Sequence, residues 1–231
     1  MYDMQIKRKL FLFAMRECHI DMEARQVLDV GFGSGDILFS FPSSCKIRGV
    51  DFSADAVRAG TIRAARKGYG DADFFAIDLD TSPIPFGDAE FDIIICSHVL
   101  EHLADDRAML EQLHRLLIPS GSAIILIPVN EAPGDDPHHV RQYTQESFTA
   151  RAREAGFQLR FHFEGEYMWH VIGGFFLHRY HKRIPLLGPL VSAMINIPLA
   201  VLPFRIHIWI DRMFARAGYL PRQAVFCLSK A

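Results

Sequence analysis

Apolar residues along this chain fall into short unbroken runs separated by stretches in which they recur every third or fourth position. Runs such as Val27-Leu28, Phe91-Asp92-Ile93-Ile94-Ile95-Cys96 and Ala123 to Val129 read as strands buried on both faces, and the intervening stretches read as amphipathic helices. In order, the pattern predicts a helix over residues 3–19 with Ile6, Leu10, Phe13 and Ala14 inward, then a strand ending at Val30. A helix starting at Asp36–Phe41 and stopped by Pro42-Ser43-Ser44 follows, then a strand over Lys46–Val50. Ser53 caps a helix over Ala54–Lys67, and strands follow at Phe74–Ile77 and Phe91–Ser97. The helix Asp105–Leu117 turns Met109, Leu113, Leu116 and Leu117 to the core and ends at Pro119-Ser120-Gly121, before a strand over Ser122–Val129. A helix over Gln145–Ala155, a strand from Gly156-Phe157 and a last strand over Gln223–Lys230 complete the series. Strands and helices alternating in this way predict right-handed crossovers and a doubly wound α/β sheet.

Candidate chemistry concentrates where the first strand ends, in Gln26–Gly35, QVLDVGFGSG. Glycines suit a tight turn and admit a ligand to the bare backbone, and the carboxyl ends of strands in an open parallel sheet are where nucleotide-like ligands bind. A dinucleotide fingerprint is G-x-G-x-x-G, whereas here the third glycine comes one residue early and Asp29 precedes the first. That carboxylate would repel a pyrophosphate but accept hydrogen bonds from an ammonium group. Asp51 closes the second strand 20 residues beyond Gly31 (51 − 31), where an acid meets the hydroxyls of a ribose. Asp78 and Asp80 follow the third strand.

The D-x-G-x-G-x-G string at Asp29–Gly35, the acids after the second and third strands, Pro85-Phe86, the extension His98-Val99-Leu100-Glu101-His102-Leu103 and "LLIPSGSAIILIPV" together resemble class I S-adenosylmethionine-dependent methyltransferases. The likeness is strong over about Gln26–Val129 and weaker through His139–Thr144 and the strands beyond. It implies a Rossmann-like, mostly parallel seven-stranded sheet whose last strand is antiparallel, and S-adenosylmethionine as cofactor. The cofactor site it implies comprises Asp29, Gly31, Gly33 and Gly35 at the amino-acid end, Asp51 and Phe52 at the ribose, Asp78 (or Asp80) and Leu79 at the adenine, and Ser97 and His98 beneath the methyl donor. The implied organisation is a helical cap over residues 1–25, a catalytic domain over 26–167 and 221–231, and a hydrophobic helical insertion over 168–220. The first helix covers substrate or simply packs on the sheet.

Methyl transfer needs positioning more than acid–base groups, so neither a triad nor a metal is required, and a base acts only where the acceptor loses a proton. His98, His102 and His139 lie near predicted strand ends, and His139 shares a polar loop with His138 and Arg141. His139 is the candidate base, and His102, Arg141 and Tyr143 are candidate substrate contacts; the competing reading of His98 and His102 is backbone bonding or packing. The histidines lack zinc-motif spacing, so no metal is assigned. Trp169, Phe175, Phe176, Tyr180 and Trp209 line an apolar acceptor pocket or belong to a core.

Length and charge narrow the partners. The 231 residues allow one substantial core plus additions, and 25 Lys and Arg against 27 Asp and Glu leave a net charge of -2, so no nucleic-acid partner is expected. Four scattered cysteines without a C-x-x-C pair fit reduced thiols of a cytoplasmic protein. Lys7-Arg8-Lys9 before Leu10–Met15 is too short a run for a secretory signal. Ile184–Phe204 is 21 residues without a charged side chain, long enough to span a membrane, but its four prolines and the strand still to follow argue instead for a cap of short helices. That cap is either buried or rests on a membrane surface through 179–210, where Arg179, Lys182 and Arg183 would meet anionic headgroups. The acceptor is then a small molecule, lipid-like if the cap is its lid. Two rivals remain: a non-catalytic binding protein on this fold, and an NAD-dependent oxidoreductase.

Overall fold

The computed structural model describes residues 2–23, 25–131, 136–165 and 203–231. Its elements are α1 (Tyr2–Glu17), β1 (Gln26–Val30), a 3-10 turn (Leu38–Ser40), β2 (Lys46–Asp51), α2 (Ala54–Lys67), β3 (Ala72–Ala76) and β4 (Phe91–Ser97). After them come α3 (Asp106–Leu116), β5 (Leu117–Pro128), α4 (Gln145–Glu154), β6 (Phe157–Gly165), α5 (Phe204–Arg216) and β7 (Gln223–Lys230). The seven strands form one sheet in the order β3-β2-β1-β4-β5-β7-β6. Strands β1 to β5 pair in parallel, and β7 runs antiparallel to both β5 and β6. The strand order reverses beside β1, and there the carboxyl ends of β1 and β4 open a crevice.

Successive residues of a strand point to opposite faces, so the continuous apolar runs feed two cores at once. Leu28, Val30, Ile94 and Phe226 pack with Met109, Leu110 and Leu113 of α3 and Phe148 of α4. On the other face Val27, Ile93, Ile95, Ile124 and Val225 meet Leu10, Phe11 and Met15 of α1 and Ala64 of α2. Among the described side chains of α1, Leu10, Phe11, Ala14 and Met15 are buried and Phe13 lies half-buried against Phe161 and Phe163 of β6, while the Ile6 side chain lies outside those described. The first helix thus packs on β5, β6 and β7.

The sequence and the structure part in two places. No α-helix follows the glycine loop: Pro42 leaves too few residues to nucleate one, and a 3-10 turn drops Leu38, Phe39 and Phe41 into the core instead. Pro119-Ser120-Gly121, expected as a loop, lies inside β5, which starts at Leu117 opposite Phe91 and shifts register before Ser122 pairs with Ile93. Gly121 permits this shift, because a Cβ there would sit 2.9 Å from the Asp92 carbonyl oxygen. Helix α2 and its cap agree with the expectation, the Ser53 hydroxyl accepting from the Ala56 N–H at 3.3 Å.

Most of the 168–220 segment, with the run to Leu202, the basic cluster at Arg179–Arg183 and the aromatics Trp169, Phe175, Phe176 and Tyr180, lies outside the described residues. Within its described end, Trp209 on α5 is 62% exposed, so it belongs to no core. Among the described residues no helix is long and apolar enough to cross a membrane.

Candidate cofactor cleft and the histidine rim

At the carboxyl ends of β1, β2 and β4 lies a cleft of about 490 Å³, a volume ordinary for a small-molecule site. Gly31, Asp51, Phe52, Asp78, Leu79, Asp80, His98, Val99, His102 and Leu103 form its wall. The fold therefore brings together acids from the ends of two strands, Asp51 closing β2 and Asp78 and Asp80 after β3, with the first glycine of the loop.

The loop owes its shape to backbone geometry that only glycine tolerates well. Gly31 has φ +72° and Gly33 φ +51°, and a Cβ on Gly31 would sit 2.2 Å from Cγ2 of Val99. Asp51 fastens the loop: its Oδ2 accepts from the Gly33 N–H at 2.7 Å and its Oδ1 from the Ser53 N–H at 2.9 Å. Each carboxylate oxygen has a second lone pair, so this anchoring leaves acceptor capacity for the hydroxyls of a ligand.

Asp29 lies on the strand just before the loop and is 3% exposed. Burial, and secondarily the nearby negative charge of Asp51, hold its carboxyl well above the ordinary aspartate range. An acid so placed recovers its charge when a cation enters beside it. Burial, with Glu101 and Asp29 nearby, likewise raises the Cys96 thiol, which stays neutral.

Of the residues expected at the cofactor, Gly31, Asp51, Phe52, Asp78, Leu79 and His98 line the cleft, whereas Asp29, Gly33, Gly35 and Ser97 do not reach its wall. Asp78 and Asp80 both face it, and Asp80 also accepts from the Ala104 N–H at 2.8 Å. His98 follows β4 with φ +55°, a strained value for a non-glycine residue, and this turn starts the crossing of 98–103 under the cleft.

The expected substrate contacts divide. His102 lines the cleft. Tyr143 does not: it is 2% exposed, and its hydroxyl donates to Oδ2 of buried Asp106 at 2.7 Å. Burial and Asp106 push the Tyr143 phenol up, so it stays protonated. Arg141 donates to the carbonyls of Leu100 (3.2 Å) and Ala104 (2.7 Å) and lies 3.2 Å from Asp106, which also accepts from Arg151 at 3.0 Å. Both residues belong to a buried network joining the loop before α4 to α3, and the polar sequence around them gave no sign of it. His139 is off the wall too, its ring edge-on to His102 with centroids 4.8 Å apart and its Nδ1 2.7 Å from Glu131 Oε2.

Glu101 had no role assigned from the sequence. It is fully buried under the cleft with Oε1 3.1 Å from His98 Nδ1, an ion-pair distance without hydrogen-bond alignment, and neither oxygen has a hydrogen-bond partner. Its only sequence signal is the pairing of an acid with His102 in an otherwise apolar stretch.

A Rossmann-like sheet with a glycine loop, a ribose-height acid and a cleft at the strand reversal defines a nucleoside-cofactor protein. Residues 28–125 match the family model described as a methyltransferase domain. The chain is 31% identical over 128 residues to the ubiquinone/menaquinone biosynthesis C-methyltransferase of Geotalea daltonii, covering 52% of each chain. It is 25% identical over 120 residues to the ubiquinone biosynthesis O-methyltransferase of Neisseria meningitidis, covering 50% of this chain and 48% of that one. A SAM-dependent methyltransferase from Aquifex aeolicus shares the fold at a TM-score of 0.55 and 20% identity, covering 66% of this chain and 81% of that one. Over residues 28–125 the chain matches a methyltransferase domain, and its fold is that of the class I S-adenosylmethionine-dependent methyltransferases. It spans about half the length of the relatives that it matches.

The residues present fit that cofactor. A buried acid just before the glycine loop, its carboxyl raised by burial, suits the ammonium of an amino-acid end, and Asp51 and Asp78 suit the hydroxyls and amino group of a nucleoside. A pyrophosphate fits poorly, because the loop runs into a three-residue 3-10 turn rather than into a helix N-terminus.

Proposed function

We propose that this protein transfers a methyl group from S-adenosylmethionine to a small acceptor of the kind handled in quinone biosynthesis. The observation that carries the reading is the convergence of Gly31, Asp51 and Asp78 on one cleft at the strand reversal. When bound, the cofactor supplies a methyl group activated on a sulfonium. Asp29 offsets the ammonium, Asp51 accepts from the ribose, Asp78 or Asp80 accepts from the adenine amino group, and Phe52, 79% exposed at the rim, covers what it meets. Their common work is to hold donor and acceptor in line and exclude water. His102, on the wall, is the nearer of the two loop histidines to the cleft, and His139 reaches it only through His102.

A lipid-like acceptor and a peripheral membrane contact are part of the same proposal. The exposed face of α5 carries Ile206, Trp209 and Met213, and exposed Arg205, Arg212 and Arg216 flank it. Apolar residues beside a basic rail favour an anionic lipid surface. Flotation with anionic vesicles at low and high salt tests this part: salt-sensitive binding weakened by Trp209→Ala supports it, and a protein unbound at both salts refutes it.

The methyl-transfer reading is tested by calorimetry with S-adenosylmethionine, S-adenosylhomocysteine and NAD. Binding of the first two and not the third is the expected result. Binding of none by the folded protein would support a non-catalytic role, and binding of NAD alone an oxidoreductase.

A further inference from the structure

We propose that Glu101, His102 and His139 form a binding site for one divalent transition-metal ion at the rim of the cleft. One potential ligand atom from each lies within 4.8 Å of the other two, although 37 residues separate His102 from His139 in the chain (139 − 102). Ligand atoms around a bound first-row ion sit about 3–4 Å apart at metal–ligand distances near 2.1 Å, so small side-chain rotations close the set.

Proximity alone would not make a site; the hydrogen bonding around it does. His102 Nδ1 lies 3.1 Å from the His138 carbonyl oxygen, and His139 Nδ1 lies 2.7 Å from Glu131 Oε2. An acceptor at Nδ1 holds the proton there and leaves Nε2 with its lone pair free for a metal, the usual outer support of a metal-bound imidazole. Asp136 also stands 3.8 Å from His139 Nε2 and adds negative charge to the site. The backbone ties the two halves together, since the Val140 N–H donates to the Glu101 carbonyl at 2.9 Å.

Glu101 is the observation that calls for a ligand. Neither oxygen of this fully buried carboxylate has a hydrogen-bond partner, and burying such a group uncompensated is costly. His98 Nδ1, 3.1 Å from Oε1, can steady one oxygen and leave the other for the ion. Two imidazoles and one carboxylate suit zinc, cobalt or manganese rather than magnesium or calcium, which prefer all-oxygen sets. Three protein ligands leave coordination positions open, and His102, on the wall of the cleft, places the ion beside it. An oxygen of the acceptor as the further ligand rests on the methyl-transfer reading; the metal site itself does not.

The test uses the purified full chain, stripped with chelator and titrated with Co(II) and then Zn(II). Metal content and the visible absorption of Co(II) are the readouts, and S-adenosylhomocysteine binding is measured in parallel. One ion per chain is expected, with affinity at least about 100-fold lower in His102→Ala and His139→Ala and about 10–100-fold lower in Glu131→Gln, which lies outside the ligand set. Glu101→Gln is expected to abolish the Co(II) spectrum while keeping the shape of the buried side chain. The proposal falls if the folded wild-type chain takes up no ion, or if it binds one equally well in all four variants. Loss of S-adenosylhomocysteine binding with metal uptake intact would count against the cofactor reading alone.

Discussion

Replacing Gly31 by alanine tests the cleft geometry at its tightest point. The added Cβ meets two penalties: a left-handed backbone at φ +72°, worth about 1–2 kcal/mol for a residue with a side chain, and a 2.2 Å approach to Val99 Cγ2. Val99 is 8% exposed and its β-branched side chain has little rotamer freedom, so overpacking adds about 1–3 kcal/mol and the total is about 2–5 kcal/mol. Gly33→Ala is the control, because its φ is also positive and no atom lies within 4 Å of its Cβ position. It should cost only the backbone part, about 1–2 kcal/mol. Val99→Ala alone should cost about 1–2 kcal/mol, yet combined with Gly31→Ala it should remove most of the clash, giving a favourable coupling of about 1–3 kcal/mol. Urea denaturation of the four proteins measures all of these quantities. Equal losses for Gly31→Ala and Gly33→Ala, or a strictly additive double variant, would refute the packing argument.

Asp51→Ala should weaken S-adenosylhomocysteine binding by about 1–3 kcal/mol in calorimetry, since it removes the acceptor expected to meet the ribose. Tyr143→Phe should cost about 1.5–3 kcal/mol of folding stability by leaving Asp106 short of a donor, with cofactor affinity unchanged in the folded fraction. Asp29 has a folded-state pKa above its unfolded value, so the ligand-free chain should lose stability as pH rises from the ordinary aspartate range, near 4, through the raised value. Asp29→Asn should remove that loss and stabilise the chain at higher pH, as read from melting temperature across pH, while abolishing the proton release that calorimetry in two buffers should detect when the wild type binds cofactor.

The parts of the fold legible in the sequence were those set by local signals. Strand β4 reads directly from its apolar run, α2 from Ser53, and β7 from the run ending at Lys230. Where local and tertiary preferences conflicted, the tertiary one prevailed: Leu38 and Phe39 fill the core rather than extend a helix, and Pro119-Ser120-Gly121 sits in a strand because Phe91 and Ile93 pair across it. At the site, the loop and the acids were legible because their spacing follows from one strand–turn–strand unit. The engagement of Arg141 and Tyr143 with Asp106 was not legible because a buried partner on another helix has no local signature, and the approach of Glu101 to His139 was not legible because 38 residues separate them (139 − 101).

The antiparallel entry of β7 between β5 and β6 has a consequence for synthesis. Among the described strands β6 pairs only with β7, and β5 keeps one edge open until β7 fills it, so both wait for a segment translated about sixty residues after β6. The nascent chain therefore carries an apolar strand edge, Ala123–Ile127, through the whole of that delay, while the strands bearing the cofactor cleft can already be in place. A ribosome paused within the intervening stretch would hold a formed cleft beside an unfinished sheet, the point at which a chaperone that covers exposed edges has most to protect.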